Sequence, residues 1–264
     1  MDKDIKDIFV KRRWNKIFFF SVLAAFTIGS IIVTNFDLTR GFASFFKAVM
    51  WSVTNFYPDA EAMKRLPDIL IKLRETILLA VASTTLAAVA AFAFALLGSN
   101  TTKVNNFFSL VSRGVASVSR NIPDAVWAMI LLFSFGQSAL TGYFALFFVT
   151  FGFLCRTFTE TIDEVSGSSV EALQATGADY FHIVSHAVIP SSLPQMLSWI
   201  LYMIETNIRS ATLIGMLTGT GIGFSFGIFY KTMNYSAASL VVIVVVVAIL
   251  IIESMSNYVR RVIL

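Results

Sequence analysis

Six stretches of this chain are apolar for long enough to cross the hydrocarbon core of a bilayer, and nothing else in the sequence constrains its fold as strongly. They lie at 17–33, 76–97, 107–135, 139–155, about 190–208 and 236–252. A helix rises about 1.5 Å per residue, so roughly 20 residues cover a core of ~30 Å. Composition agrees, with 56% of residues hydrophobic and only 14% charged, against roughly 25% charged in a soluble domain. A soluble surface has no place for that apolar excess. The chain therefore reads as an all-α integral membrane protein with about six transmembrane helices.

The basic residues set an orientation. Lys3, Lys6, Lys11, Arg12, Arg13 and Lys16 precede the first apolar run, and no small-residue cleavage pattern follows it. Residues 17–35 thus read as a retained anchor helix with a cytoplasmic N-terminus. Six spans return the C-terminus to the same side, where Arg260 and Arg261 sit just past the last run. The net charge of +4 follows from this orientation and does not point to nucleic acid. The first outer segment, 37–75, departs from the rule by carrying Arg40, Lys47, Lys64, Arg65, Lys72 and Arg74. Its apolar patch, 41–57, is interrupted by Lys47 and reads as an amphipathic segment lying at the interface. The whole chain, 1–264, is read as one transmembrane domain with its core at about 76–258.

Two irregularities stand inside the apolar runs. Pro123 falls near the middle of the third run, where it removes a backbone donor and clashes one turn back, so the helix should kink or break. Five glycines, Gly215, Gly219, Gly221, Gly223 and Gly227, lie between the fifth and sixth runs and predict irregular backbone. Non-helical backbone at membrane depth survives only where protein or a water-filled cavity covers it. Both features point to a pathway and away from lipid. The glycines hold no G-x-x-x-x-G-K-[ST] phosphate loop, so any nucleotide must be bound by another polypeptide.

Between the fourth and fifth runs lies a long polar stretch, 156–189. Ser168 followed three residues later by Glu171 predicts a capping box and a helix start. Gly177 with Ala178 allows a tight turn or close approach, and Pro190 marks where this element gives way to the next. A polar helical loop between two spans serves no purpose in lipid and is expected to dock on a cytosolic protein. Its spacing of Glu171, Ala172, Gly177 and Pro190 resembles the E-A-A loop of bacterial ABC-importer permeases, with Leu173, Ala187 and Ile189 as apolar departures from that pattern. Residues 120–128 and 205–215, with the run Gly219-Thr220-Gly221-Ile222-Gly223, look like the permeases of phosphonate importers. Met216-Leu217-Thr218 departs from the smaller, glycine-rich run expected there.

The resemblance implies a type I importer permease fold in a bacterial cytoplasmic membrane and a transport subunit that is not itself an enzyme. It implies coupling helices, here Glu171, Ala172, Leu173, Gly177 and Ala178, seated on a separate ATPase that binds ATP and magnesium, so this chain holds no cofactor of its own. It also implies an extracytoplasmic substrate-binding protein and a second permease chain in a homodimer. The cargo would be phosphonate, phosphite or phosphate.

Charged residues within apolar runs are rare and usually face a bundle interior or a water-filled path. Arg120 with Asp124, and Glu205 with Arg209, are each four apart and would pair along an intact helix. The candidate pathway or gate set is Arg120, Asp124, Glu205, Asn207, Arg209, Gly219, Gly221 and Gly223. His182 and His186 have zinc-like spacing, but no third ligand accompanies them and they read as solvated histidines. Cys155 is the single cysteine, which excludes an internal disulfide. A permease for another solute, such as an amino acid, also fits the loop. An ion-driven transporter would show matching broken helices in two halves, and a membrane enzyme would need a nucleophile and base at one depth. Neither pattern is present in the sequence.

Overall fold

The computed structural model describes the backbone of residues 2–165 and 167–263, and side chains from residue 11 onward except at 38, 166 and 263. The side chains of Lys3 and Lys6 lie outside the described residues. The chain divides into two compact units, 1–55 and 56–264. Every regular element among the described residues is helical.

The first unit holds α1 (Asp2–Val33) and α2 (Leu38–Asn55). Asp37 starts α2 by accepting hydrogen bonds from the backbone N–H of Thr39 at 3.0 Å and Arg40 at 3.1 Å. The Thr39 hydroxyl, donating at 2.6 Å, together with those two N–H groups holds its carboxyl below the usual carboxylate range. α2 covers the patch expected to be an amphipathic segment.

The second unit contains α3 (Ala60–Met63), α4 (Leu66–Gly98), α5 (Asn106–Asn121), α6 (Asp124–Phe135), α7 (Ala139–Val165), α8 (Gly167–Ala175), α9 (Tyr180–Ile183), α10 (Ile189–Thr218), α11 (Gly221–Lys231) and α12 (Tyr235–Ile263). Its centre is the packing of α4 on α7. Along α4 the buried face consists of small residues, Ala80, Thr84, Ala87, Ala88, Ala91 and Ala95. Lipid tails are as apolar as leucine, so small residues that let backbones approach are what joins helices in a membrane. The larger side chains Phe158, Leu154, Ile162 and Val188 fill the space around them. A second cluster, of Ile69, Ile222, Ala237, Leu240 and Val241, ties the start of α4 to α11 and α12.

Five described helices are long and apolar enough to cross a membrane: Lys11–Val33, Leu66–Gly98, Ala139–Val165, Tyr180–Thr218 and Tyr235–Val262. The expected third span is instead two elements. Pro123 is the N-cap of α6, and Ile122 before it is extended, as a residue preceding proline prefers. α5 is serine-rich and amphipathic, while α6 is apolar but only 12 residues long.

One further expectation needs correction, and two are met with added detail. α8 begins at Gly167, so Ser168 lies inside its first turn and not ahead of it; α7 runs on to Val165 and leaves almost no connector. Pro190 falls where the loop elements give way to the next, in the first turn of α10, and before it the chain widens into a π turn over Val184–Val188, with the Ile189 N–H donating to the Val184 carbonyl. That wider turn accommodates a residue with no N–H of its own. The glycine zone is irregular at its centre, where Gly219 and Gly221 hold φ +73 and +60 on either side of an extended Thr220, while the flanking residues are helical.

Candidate functional site

The α8 loop presents two faces. Val170 is buried, and Leu173 and Ala178 pack against the main α4–α7 core. Glu171, Ala172 and Gly177 point outward and are exposed. The turn closes through the Gly177 N–H to the Gln174 carbonyl at 3.0 Å and the Ala178 N–H to the Leu173 carbonyl at 3.2 Å. Gly177 holds φ +78, with open space where a Cβ would sit. Within this chain the left-handed backbone requires the glycine, not close packing. Phe181, beside this turn, is 79% exposed. An aromatic in an otherwise polar loop was the available signal for it, and it passed unnoticed among so many phenylalanines.

His182 and His186 stack with ring centroids 4.1 Å apart, and His186 Nδ1 lies 2.8 Å from the Ser185 hydroxyl. Both are exposed. No group of three or more potential metal ligands occurs among the described residues.

The charged residues separate into two places. Arg120 ends α5 and Asp124 begins α6, and they form no ion pair because the break at Pro123 destroys the helical register. Asp124 instead accepts from the Ala125 N–H at 2.9 Å. Glu205 and Arg209 do pair along α10. Their surroundings differ: the Glu205 side chain is 9% exposed and that of Arg209 is 47% exposed. Arg260, from the far end of α12, is a second partner of Glu205 at 3.5 Å and donates to Ser256 Oγ at 2.8 Å. Its Nε is buried with no hydrogen-bond partner among the described residues. One carboxylate therefore holds two guanidinium groups, leaving a local positive charge.

Asn207 lies in the packed interior. Its Nδ2 donates to Thr84 Oγ1 at 2.8 Å and to Thr150 Oγ1 at 2.7 Å, which joins α10 to α4 and α7. Both amide protons are spent on this node, so Asn207 ties three helices together.

The glycine set closes a tight reversal. Gly219 is the left-handed C-cap of α10, with its N–H on the Gly215 carbonyl at 3.0 Å. Thr76 of α4 accepts from the Ile222 N–H at 2.8 Å, capping α11 immediately beside Gly221. A Cβ on Gly223 would overlap the Thr212 carbonyl oxygen. These glycines let α11 fold back along α10 at backbone contact.

The resulting molecule is a multi-span helical membrane component with a short helical loop anchored from inside and exposed outside. Residues 89–263 match the family described as the binding-protein-dependent transport system inner membrane component. The chain belongs to that family. It is 31% identical over 190 residues to the phosphate-import permease protein PhnE of Mycolicibacterium smegmatis, covering 72% of this chain and 36% of that protein. It is 28% identical over 187 residues to the phosphite transport system permease protein PtxC of Stutzerimonas stutzeri, covering 71% and 68%. The chain thus spans about a third of the first relative's length and about two thirds of the second's. An inward-facing structure of the MetNI methionine ABC transporter shares the fold, with TM-score 0.67 at 14% identity over 78% of this chain and 99% of that one.

Proposed function

We propose that this chain is the membrane permease of an ATP-driven importer for a small phosphorus oxyanion, phosphonate, phosphite or phosphate. The observation that carries this reading is the α8 loop, with Glu171, Ala172 and the left-handed Gly177 facing out while Val170, Leu173 and Ala178 root it in the core. A protein bound to that outer face would move α8 as a body. The contacts of α8 with α7 and with the π turn before α10 carry the movement into the bundle. The partner proposed for that face is a cytosolic ATPase carrying ATP and magnesium; with α5 and α6, both packed along α7, crossing together as one broken span, six crossings put both termini on the same side.

A binding protein on the opposite side would deliver the cargo, and a second copy of this chain would complete the path. Arg209 is one side chain placed to meet an oxyanion in the path, being half exposed although paired with Glu205. A guanidinium offers a planar fork of donors that fits tetrahedral oxyanions. The names of the two relatives support a phosphorus oxyanion as cargo over an amino acid.

The test is uptake by proteoliposomes holding the full chain with its ATPase and binding protein, supplied with phosphite, phosphate or methylphosphonate. Accumulation that requires enclosed ATP and survives collapse of the ion gradients supports the reading. Uptake that follows an ion gradient without ATP would overturn it.

A further inference from the structure

A cavity of about 470 Å³ opens between α5 and α7, at the end of the bundle where α7 leads into α8. Its wall includes three arginines, Arg113, Arg120 and Arg156, together with Ser117, Thr159 and Asn100. Arg113, Ser117 and Arg120 follow one another at i, i+4 and i+7 on a single face of α5, so their donors converge on the same space.

The charges around this cavity do not cancel. Glu160 is committed to Arg156, at 2.7 Å. Asp163, also in the wall, keeps its charge while it accepts from Ser99 Oγ at 2.5 Å, the Asn100 N–H at 2.8 Å, Asn100 Nδ2 at 3.1 Å, and both the N–H and the hydroxyl of Thr101, so three arginines face two carboxylates and the wall stays net positive. Arg113 meets only neutral oxygens, with Nε on the Gly98 carbonyl at 2.9 Å and Nη2 on Asn100 Oδ1 at 3.1 Å. The Arg120 guanidinium has no ion-pair or hydrogen-bond partner among the described residues, although it is only partly exposed. Its position at the C-terminus of α5 offers a helix dipole, which offsets part of the charge but supplies no acceptor to its five N–H donors.

Three guanidinium groups against two carboxylates, with Arg120 unpaired among the described residues, the Ser117 hydroxyl and room for a small molecule, together form a site for a tetrahedral oxyanion. We propose that this cavity binds a phosphate-class oxyanion, with Arg120 and Arg113 as its principal donors. The site is separate from the Glu205–Arg209–Arg260 cluster and lies at the α8 end of the bundle. Two sources share the required chemistry: a free oxyanion on the inner side, and the phosphate of an anionic lipid headgroup. Identifying the first with arriving cargo rests on the function proposed above, whereas the site itself does not.

Inorganic phosphate labelled with 32P is titrated onto the full chain with its ATPase, binding protein omitted, in nanodiscs of phosphatidylcholine alone and of phosphatidylcholine with phosphatidylglycerol. Saturable binding in the zwitterionic discs is expected. R120Q should weaken it at least tenfold, R113Q should weaken it as well, and R120K should retain most of it. Because Arg120 holds no partner in the fold, R120Q should purify as a monodisperse complex; K231Q, at the end of α11, should bind as the unmodified protein does. Phosphate binding that persists in the anionic discs identifies a free oxyanion as the ligand, and binding displaced by phosphatidylglycerol identifies the headgroup. Overturning results are an absence of saturable phosphate binding and of phosphatidylglycerol enrichment, or equal affinity in R120Q. ATP-driven uptake is measured on the same preparation. A protein that transports but binds no phosphate here loses this site and keeps the proposed function.

Discussion

Replacing Asn207 with alanine separates a structural role from a pathway role for a buried amide of α10. The change removes two hydrogen bonds, to Thr84 and Thr150, in a node that is fully buried. Net values of roughly 0.5–1.5 kcal/mol per hydrogen bond apply in proteins generally, and interhelical bonds in membranes average about 0.6 kcal/mol. Thr84 keeps its own bond to the Ala80 carbonyl at 2.7 Å, so it is not left as an unsatisfied donor. The expected loss is therefore about 1–3 kcal/mol. Equilibrium unfolding in mixed micelles measures it, and a double-mutant cycle with Thr150→Val should return a coupling of about 0.5–1.5 kcal/mol. Transport per folded molecule should change little. A stability change under about 0.3 kcal/mol, or a large transport defect in a protein of unaltered stability, would refute the assignment and return Asn207 to the path.

Glu205→Gln should lower thermal stability and impair transport, since Arg209 and Arg260 then lose their shared carboxylate. The double change Glu205→Gln with Arg209→Gln should restore less than full transport in an uptake assay, because Arg260 remains unmatched. Gly223→Ala should cost about 1–3 kcal/mol through its overlap with the Thr212 carbonyl, whereas Gly227→Ala meets only Met216 Cγ at 3.7 Å and should be near neutral by the same unfolding assay. Asp59 caps α3 by accepting from the Ala62 N–H at 2.7 Å, and that bond, with Ser236 beside it, holds its carboxyl below the ordinary range. A lowered folded value means that the cap stabilises fully above the unfolded value, about 3.9, and fades as pH falls through the folded one. Amide exchange in α3 should rise in that acid window, and Asp59→Asn should blunt the change.

The helical class and the break at Pro123 were legible because each follows from local chemistry: apolar runs force helices in lipid, and proline forbids the register. The start of α4 was not. Its first turns carry Asp68, Lys72, Arg74 and Glu75 among apolar residues, and the Lys72–Glu75 pair at 2.8 Å shows how a charged stretch still continues a helix. Pro190 marked the start of α10, as a proline in a first helical turn does, but the π turn before it left no signal in the sequence. The outward and inward faces of α8 were only half visible. Glu171 and Gly177 have types that suit exposure and a turn, but Leu173 and Ala178 turn inward through tertiary packing. Arg260 was read as a topology marker, since its pairing with Glu205 joins residues 55 apart in sequence. Arg113 went unremarked for a related reason: its significance comes from which carboxylates around it are already occupied.

Crosslinking from the exposed face of α8 tests most directly whether that loop couples this permease to an ATPase. Cys155 is the single cysteine and is 1% exposed, so Ala172→Cys adds one reactive thiol on an otherwise silent background. In right-side-out vesicles containing a transport-competent assembly, that thiol should resist impermeant maleimide from outside. After permeabilisation it should crosslink to the ATPase subunit, with a yield that changes on adding ATP. Labelling from the outer face, or no crosslink to the ATPase in an assembly that still transports, would contradict the coupling role of α8.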